Sequence, residues 1–114
     1  VVIRCKRLVD AATALDDLGP DKVVFDCAAL HFPLHVRRRL PGDTFYPLGA
    51  PGSRKLKKIL IDLKVPAEKR ERLPLICDEK GILWIAGLRR SERGKVDGTN
   101  RDLLVMEQTK IDNT

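Results

Sequence analysis

At 114 residues with a formal net charge of +6, the chain has room for one modest domain, and the basic balance fits either a polyanionic partner or a soluble domain with lysine-rich helix faces. Apolar residues make up 43% but aromatics only 4%, so the predicted core is aliphatic. No apolar run reaches the roughly 18 residues of a membrane span, and VVIRCKRLVD lacks the order of a secretory signal; both point to a cytoplasmic protein without membrane partners.

Taken in chain order, 1–5 predicts a short strand, followed by a helix over 10–18 that ends at Gly19-Pro20. The β-branched run KVVFD (22–26) predicts a strand. In HFPLHVRRR (31–39), strand alternation places Leu34, Val36 and Arg38 on one face and His35, Arg37 and Arg39 on the other. One face must therefore tolerate arginine, which suits an edge or a groove. PGDTFYPLGAPGS (41–53) has the composition of an ordered turn, with Phe45, Tyr46 and Leu48 expected to be buried. Ser53 is the expected N-cap of a helix to Lys64. Its apolar stripe is Leu56, Ile59, Leu60 and Leu63, with Arg54, Lys57, Lys58 and Ile61 on the opposite face. Pro66 can open a second short helix over 67–72.

Leu75–Cys77 and Ile82–Ala86 flank Asp78-Glu79-Lys80-Gly81, a hairpin pattern, with Trp84 assigned to the core. GLRRSERGKVDG (87–98) reads as a basic loop. Leu103–Glu107 reads as a closing strand, and 108–114 as a frayed tail. The predicted class is α+β: a small β-rich sheet or barrel with one basic amphipathic helix and a second short one. The expected organisation is a single domain over 1–114, with a lead-in over 1–21 and a core over 22–107. A first residue of Val1 in place of Met predicts a piece of a longer protein.

Charge is unevenly distributed. Residues 37–95 hold 16 Lys/Arg and 7 Asp/Glu, whereas the remainder holds 6 and 9. Three basic clusters, at 37–39, 54–58 and 89–95, are each compatible with a solvated face, but together they can converge on the phosphates of a polyanion. Few aromatics interleave with them, which favours duplex RNA over stacking on unpaired bases. GAPGSRK (49–55) lacks the spacing of a nucleotide-binding phosphate loop. A glycine turn entering a helix still offers N–H groups to a phosphate, or serves simply as a capped start. Cys5, Cys27 and Cys77 have no zinc-ligand spacing and are expected to be buried and reduced. Neither His31 nor His35 shares its segment with a nucleophile, so no catalytic residue and no metal site is expected. Asp43 is expected to bond turn N–H groups, and Asp62 to pair with Lys58 or another neighbouring base.

VRRRLPGDTFYPLGAPGSRKLKKILIDLKVP (36–66) and RLPLICDEKGILWIAGLRRSERGKV (72–96) closely resemble the C-terminal domain of bacterial tRNA(Ile)-lysidine synthetase. That family carries an Arg-x-x-PGD-x-F-x-PLG turn, a Gly-Ser-Lys-Lys-Leu-Lys helix start, an Ile-Asp-x-Lys-Val-Pro helix end and a Gly-Ile-x-Trp hairpin. Arg38, Gly42, Asp43, Phe45, Pro47, Leu48, Gly49, Gly52, Lys55, Leu56, Asp62, Lys64 and Pro66 match the pattern. The resemblance implies a fold shared with a module of the phenylalanyl-tRNA synthetase β chain. It implies a parent enzyme that uses ATP and Mg to join lysine to the wobble cytidine of tRNA(Ile), through an N-terminal catalytic domain whose SGG-x-DS loop this chain lacks. The implied partners are that catalytic domain and the tRNA(Ile) acceptor arm; no cofactor is implied for this segment itself. Arg37, Arg39, Ser53, Lys55, Lys57, Lys58, Arg89 and Arg90 become the expected RNA contacts. Gly42, Asp43, Phe45, Gly49 and Gly52 become the expected turn framework. The alternative is an interaction module that docks on the catalytic domain through Ile61 and the turn, with little RNA contact.

Overall fold

The computed structural model describes residues 2–9, 19–99 and 101–109; the helix expected over 10–18 lies outside them. The chain forms two compact units: Val1–Leu30 with Gly94–Thr114, and the continuous stretch His31–Arg93. With 15 Lys/Arg against 7 Asp/Glu, the second unit carries the whole basic excess. The architecture is α+β and mostly strands.

The first unit is a three-stranded antiparallel sheet. Strand β9 (Asp102–Thr109) runs between β1 (Val2–Val9) and β2 (Lys22–Asp26). Both outer strands exceed or match expectation because pairing is unbroken, from Val2 opposite Thr109 to Val9 opposite Asp102. Central β9 alternates in its middle, burying Leu104, Met106 and Gln108. Gln108 is therefore no frayed residue: its amide donates to the Asp21 carbonyl at 2.8 Å, and its Nε2 to the Asp21 carboxylate at 3.0 Å. Cys27 and Cys77 are buried and free, but Cys5, on outer strand β1, is exposed, contrary to expectation. A short 3-10 turn (Cys27–Ala29) follows β2, and its start is capped by the Asp26 carboxylate. Gly94 sits against Phe25 with φ +68; a Cβ there would lie 2.9 Å from Phe25 Cδ1. Only glycine satisfies both the left-handed backbone and that approach.

In the second unit β3 (His35–Arg37), β6 (Leu75–Asp78), β7 (Gly81–Ile85) and β8 (Arg89–Arg90) form a sheet in that order. β4 (Thr44–Phe45) and β5 (Arg54–Lys55) pair separately, and α1 (Leu56–Asp62) and α2 (Ala67–Arg70) follow. The predicted hairpin forms, and Trp84 is buried opposite Ile76. The expected 31–39 strand shrinks to three residues at the sheet edge. Arg89–Arg90 pairs with β7 instead of remaining loop.

Leu56, Ile59 and Leu60 pack with Phe45, Val65, Leu75, Cys77, Ile82 and Ile85 into one apolar cluster. Leu63 and Leu48, expected inside, are exposed. Leu63 falls outside because the helix has already ended. Lys64 takes φ +59, its N–H donates to the Ile61 carbonyl at 2.9 Å, and the Val65 N–H donates to the Leu60 carbonyl at 3.0 Å. This pair of reversed bonds, with Val65 packed alongside Leu60 in the cluster, is a Schellman stop. Ser53 is not the N-cap. Arg54–Lys55 is drawn into pairing with Thr44–Phe45, so the helix starts at Leu56 after Lys55, without a side-chain cap. Pro66 stands just before α2, which ends at Arg70 and not at 72.

Candidate nucleic-acid interface

The interface is built from a single turn and the helix it feeds. After β3 the chain reverses over Leu40–Asp43, where Gly42 takes φ +84 and the Asp43 N–H donates to the Leu40 carbonyl at 3.2 Å. The Asp43 carboxylate receives the Leu40 N–H at 2.8 Å, as anticipated from sequence. It also receives both arms of the Arg37 guanidinium, at 2.9 and 3.0 Å. Partial burial opposes ionisation of Asp43. The Arg37 fork and the Leu40 amide outweigh it and hold the carboxyl below its ordinary range. The Asp43 carbonyl in turn accepts the Leu56 N–H at 2.9 Å, tying the turn to the start of α1.

Arg37 is thus engaged in positioning that turn. Arg39, half-buried, is paired with Glu71. Its Nε is buried and has no hydrogen-bond partner among the described residues. Lys55, Lys57 and Lys58 are exposed and form no ion pair among the described residues. Together with Arg39, Leu40, Gly42, Asp43 and Glu71, these lysines line a cleft of about 480 Å³. Asp62 pairs with Arg54 at 2.8 Å and not with Lys58, leaving Lys58 to solvent. Ser53 is exposed beyond the cleft lining.

The third basic cluster, 89–95, does not line this cleft. Arg89 is exposed, and its Nη2 reaches the Leu48 carbonyl at 3.4 Å. Arg90 is largely withdrawn from solvent. Burial lowers its pKa to about 10, against the opposing pull of Glu92, and its guanidinium donates to the Ser91 and Arg93 carbonyls. The GAPGS turn is also less open than its composition implied. The Gly49 N–H, at φ +82, donates to the Glu92 carboxylate at 2.9 Å, and the Ala50 N–H to the Pro47 carbonyl at 3.0 Å. Those amides hold the turn together. Gly52 has ordinary φ and open space where a Cβ would stand, so its backbone does not require glycine. Phe45 is buried as expected, and Tyr46 half-buried.

Sequence reasoning missed Asp78, whose buried carboxylate accepts the His31, Lys80 and Gly81 N–H groups and the Arg93 guanidinium. The Asp-x-x-Gly hairpin turn was its only signal. Glu71 and Glu92, which engage Arg39 and the Gly49 turn, gave none.

The class of protein defined here is a small basic α+β module that presents exposed lysines beside a structured turn. The family model described as "TilS substrate C-terminal domain" matches residues 34–106, from just inside the second unit into β9. The chain belongs to that family. It is 38% identical over 107 residues to a tRNA(Ile)-lysidine synthase of Caldanaerobacter subterraneus subsp. tengcongensis, covering 92% of this chain and 23% of that protein. A tRNA(Ile)-lysidine synthase of Persephonella marina is 41% identical over 109 residues, covering 93% and 24%. The chain thus spans about a quarter of the length of these two relatives. A crystal structure of a TilS C-terminal domain superposes with a TM-score of 0.75 at 32% identity, covering 96% of this chain and 85% of that one. An N-terminal fragment of the phenylalanyl-tRNA synthetase β-subunit from Pyrococcus horikoshii shares the fold, with a TM-score of 0.59 at 22% identity, covering 75% and 27%.

Proposed function

We propose that residues 1–114 act as one tRNA-binding C-terminal domain of a tRNA(Ile)-lysidine synthase, gripping the acceptor arm of tRNA(Ile) through its phosphates. The observation that carries this reading is the solvent-facing set Lys55, Lys57 and Lys58 with no carboxylate partner among the described residues, in a family whose relatives bear that enzyme's name. Arg89 and Ser53 extend the exposed set, and Arg39 contributes once Glu71 is displaced. Arg37 and Arg90 act through the turn and strand they hold. In this reading the parent enzyme is cytoplasmic, and its catalytic domain uses ATP and Mg to ligate lysine to the wobble cytidine. In the glycine turn of this chain, the Gly49 and Ala50 amides are already bonded within the protein. No helix among the described residues is long and apolar enough to cross a membrane.

Fluorescence anisotropy of a tRNA(Ile) transcript with this chain tests the reading. Neutralising about four duplex phosphates gives a log K against log salt slope of roughly −3 to −4, borrowing the duplex-DNA coefficient. A slope near zero sinks the phosphate contacts. A second reading, docking on the catalytic domain, has its own support: Ile61 is 46% exposed on the face that carries Lys57 and Lys58. Under it, Ile61→Ser lowers lysidine formation by the full-length enzyme while leaving the tRNA affinity of this chain unchanged.

A further inference from the structure

The cleft between the Leu40–Asp43 turn and α1 combines two chemistries that a phosphate-only contact does not need. Its cationic side is formed by Arg39, Lys55, Lys57 and Lys58. The rest of its lining is the apolar Leu40, Pro41 and Leu56, Gly42, and two carboxylates already engaged by arginines, Asp43 by Arg37 and Glu71 by Arg39. Leu40 is 55% exposed, although it sits in an ordered turn whose amide is bonded to Asp43. Arg39 Nε is buried at the same cleft without a hydrogen-bond partner among the described residues. At about 480 Å³ the space lies within the roughly 300–1,000 Å³ typical of small-ligand pockets.

We propose that this cleft binds one unpaired nucleotide, with the base laid against Leu40 and Pro41 and the 5′-phosphate held by the lysines and Arg39. Glu71 is the resident carboxylate on Arg39 and must yield that guanidinium when the phosphate enters. The inference rests on the RNA-binding reading and deepens it. Besides duplex phosphates, the domain grips a nucleotide that has left the helix or extends beyond its end. The composition argued against stacking on unpaired bases because aromatics are scarce. An aliphatic wall performs the same desolvation with less geometric demand.

The test is a calorimetric titration of the 114-residue chain with cytidine 5′-monophosphate, inorganic phosphate and cytidine, with ¹⁵N amide shifts used to locate the site. Cytidine monophosphate is expected to bind about tenfold or more tighter than phosphate, a difference of about 1.4 kcal/mol from burying the base. Its shifts should centre on Gly42, Leu56 and Lys57. Leu40→Ser, a change at an exposed position, should weaken the nucleotide about tenfold and leave phosphate affinity unchanged. Glu71→Gln should tighten the nucleotide by roughly threefold, by removing a competing charge. Equal affinity for nucleotide and phosphate overturns the proposal, as do shifts centred elsewhere or an unaffected Leu40→Ser variant. A blunt RNA duplex separates the two levels. If it binds with a steep salt slope while the mononucleotide does not bind, the cleft proposal fails and the RNA reading stands. If neither binds, both fail.

Discussion

Arg93 Nη2 lies 2.6 Å from Asp78 Oδ2, and Nη1 lies 3.1 Å from Oδ1, so a carboxylate with no solvent exposure is met by a two-point guanidinium fork. The same carboxylate caps the β6–β7 turn through the Lys80 and Gly81 amides and anchors His31 at the start of the unit. One side chain therefore joins the first residue, the central hairpin and the last residue of His31–Arg93. Burial opposes its ionisation, but the Arg93 fork and the amides outweigh that cost and hold its carboxyl below the ordinary carboxylate range.

Asp78→Asn is expected to cost about 3 kcal/mol at pH 7, because it removes the charge that Arg93 and three amides address. Asp78 and Asp43 both have folded pKa values below their unfolded ones. Their stabilisation is thus complete above the unfolded pKa, near 4, and is lost as pH falls through the lower folded values. Thermal melts between pH 7 and pH 2 should show the wild type losing stability below about pH 4, with a shallower loss for Asp78→Asn. Parallel acid profiles for the two proteins would contradict the assignment.

Lys64→Gly is expected to raise stability by about 0.5–1 kcal/mol. The left-handed position that ends α1 penalises a Cβ, and glycine removes the penalty at a smaller entropic cost. Urea unfolding measures the change. A destabilised Lys64→Gly variant would mean that the lysine side chain contributes more than its backbone strain costs.

The two glycines Gly94 and Gly52 should respond oppositely to alanine. Gly94→Ala meets Phe25 at 2.9 Å and a positive φ, and should cost about 2–3 kcal/mol. Gly52→Ala meets nothing within 4 Å at an ordinary φ, and should be neutral or gain a few tenths of a kcal/mol, about 0.5 at most. Paired melting curves decide it.

Among the basic residues, the contrast to measure is Lys57→Glu/Lys58→Glu against Arg37→Ala. The double reversal should lower tRNA affinity by about 100-fold at low salt with little change in melting temperature. Arg37→Ala should destabilise the fold by about 2 kcal/mol, through loss of the fork on Asp43. An equal loss of affinity with unchanged stability in both variants would place Arg37 in the contact set.

Periodicity and turn chemistry are local properties, and where they decided the outcome the sequence was readable. β2, the β6–β7 hairpin, the buried Trp84 and the Leu56-Ile59-Leu60 stripe all follow from residues a few positions apart. The family pattern over 36–96 was legible for the same reason: it is carried by short spacings. Ser53 misled because its cap depended on a partner segment: Thr44–Phe45 claims Arg54–Lys55 for a strand before a helix can start there.

The sequence by itself determined a basic, aliphatic α+β chain of this family, with its positive charge concentrated in one stretch. Only the tertiary structure decided which cations are available. Arg37, Arg39 and Arg90 read in one dimension like Lys57 and Lys58. Asp43, Glu71 and the burial around β8 then commit the arginines, while the helix lysines stay in solvent. The physical reason is that ion pairing and desolvation depend on distance in space. Glu71 meets Arg39 across 32 positions of chain, a proximity that no local pattern encodes.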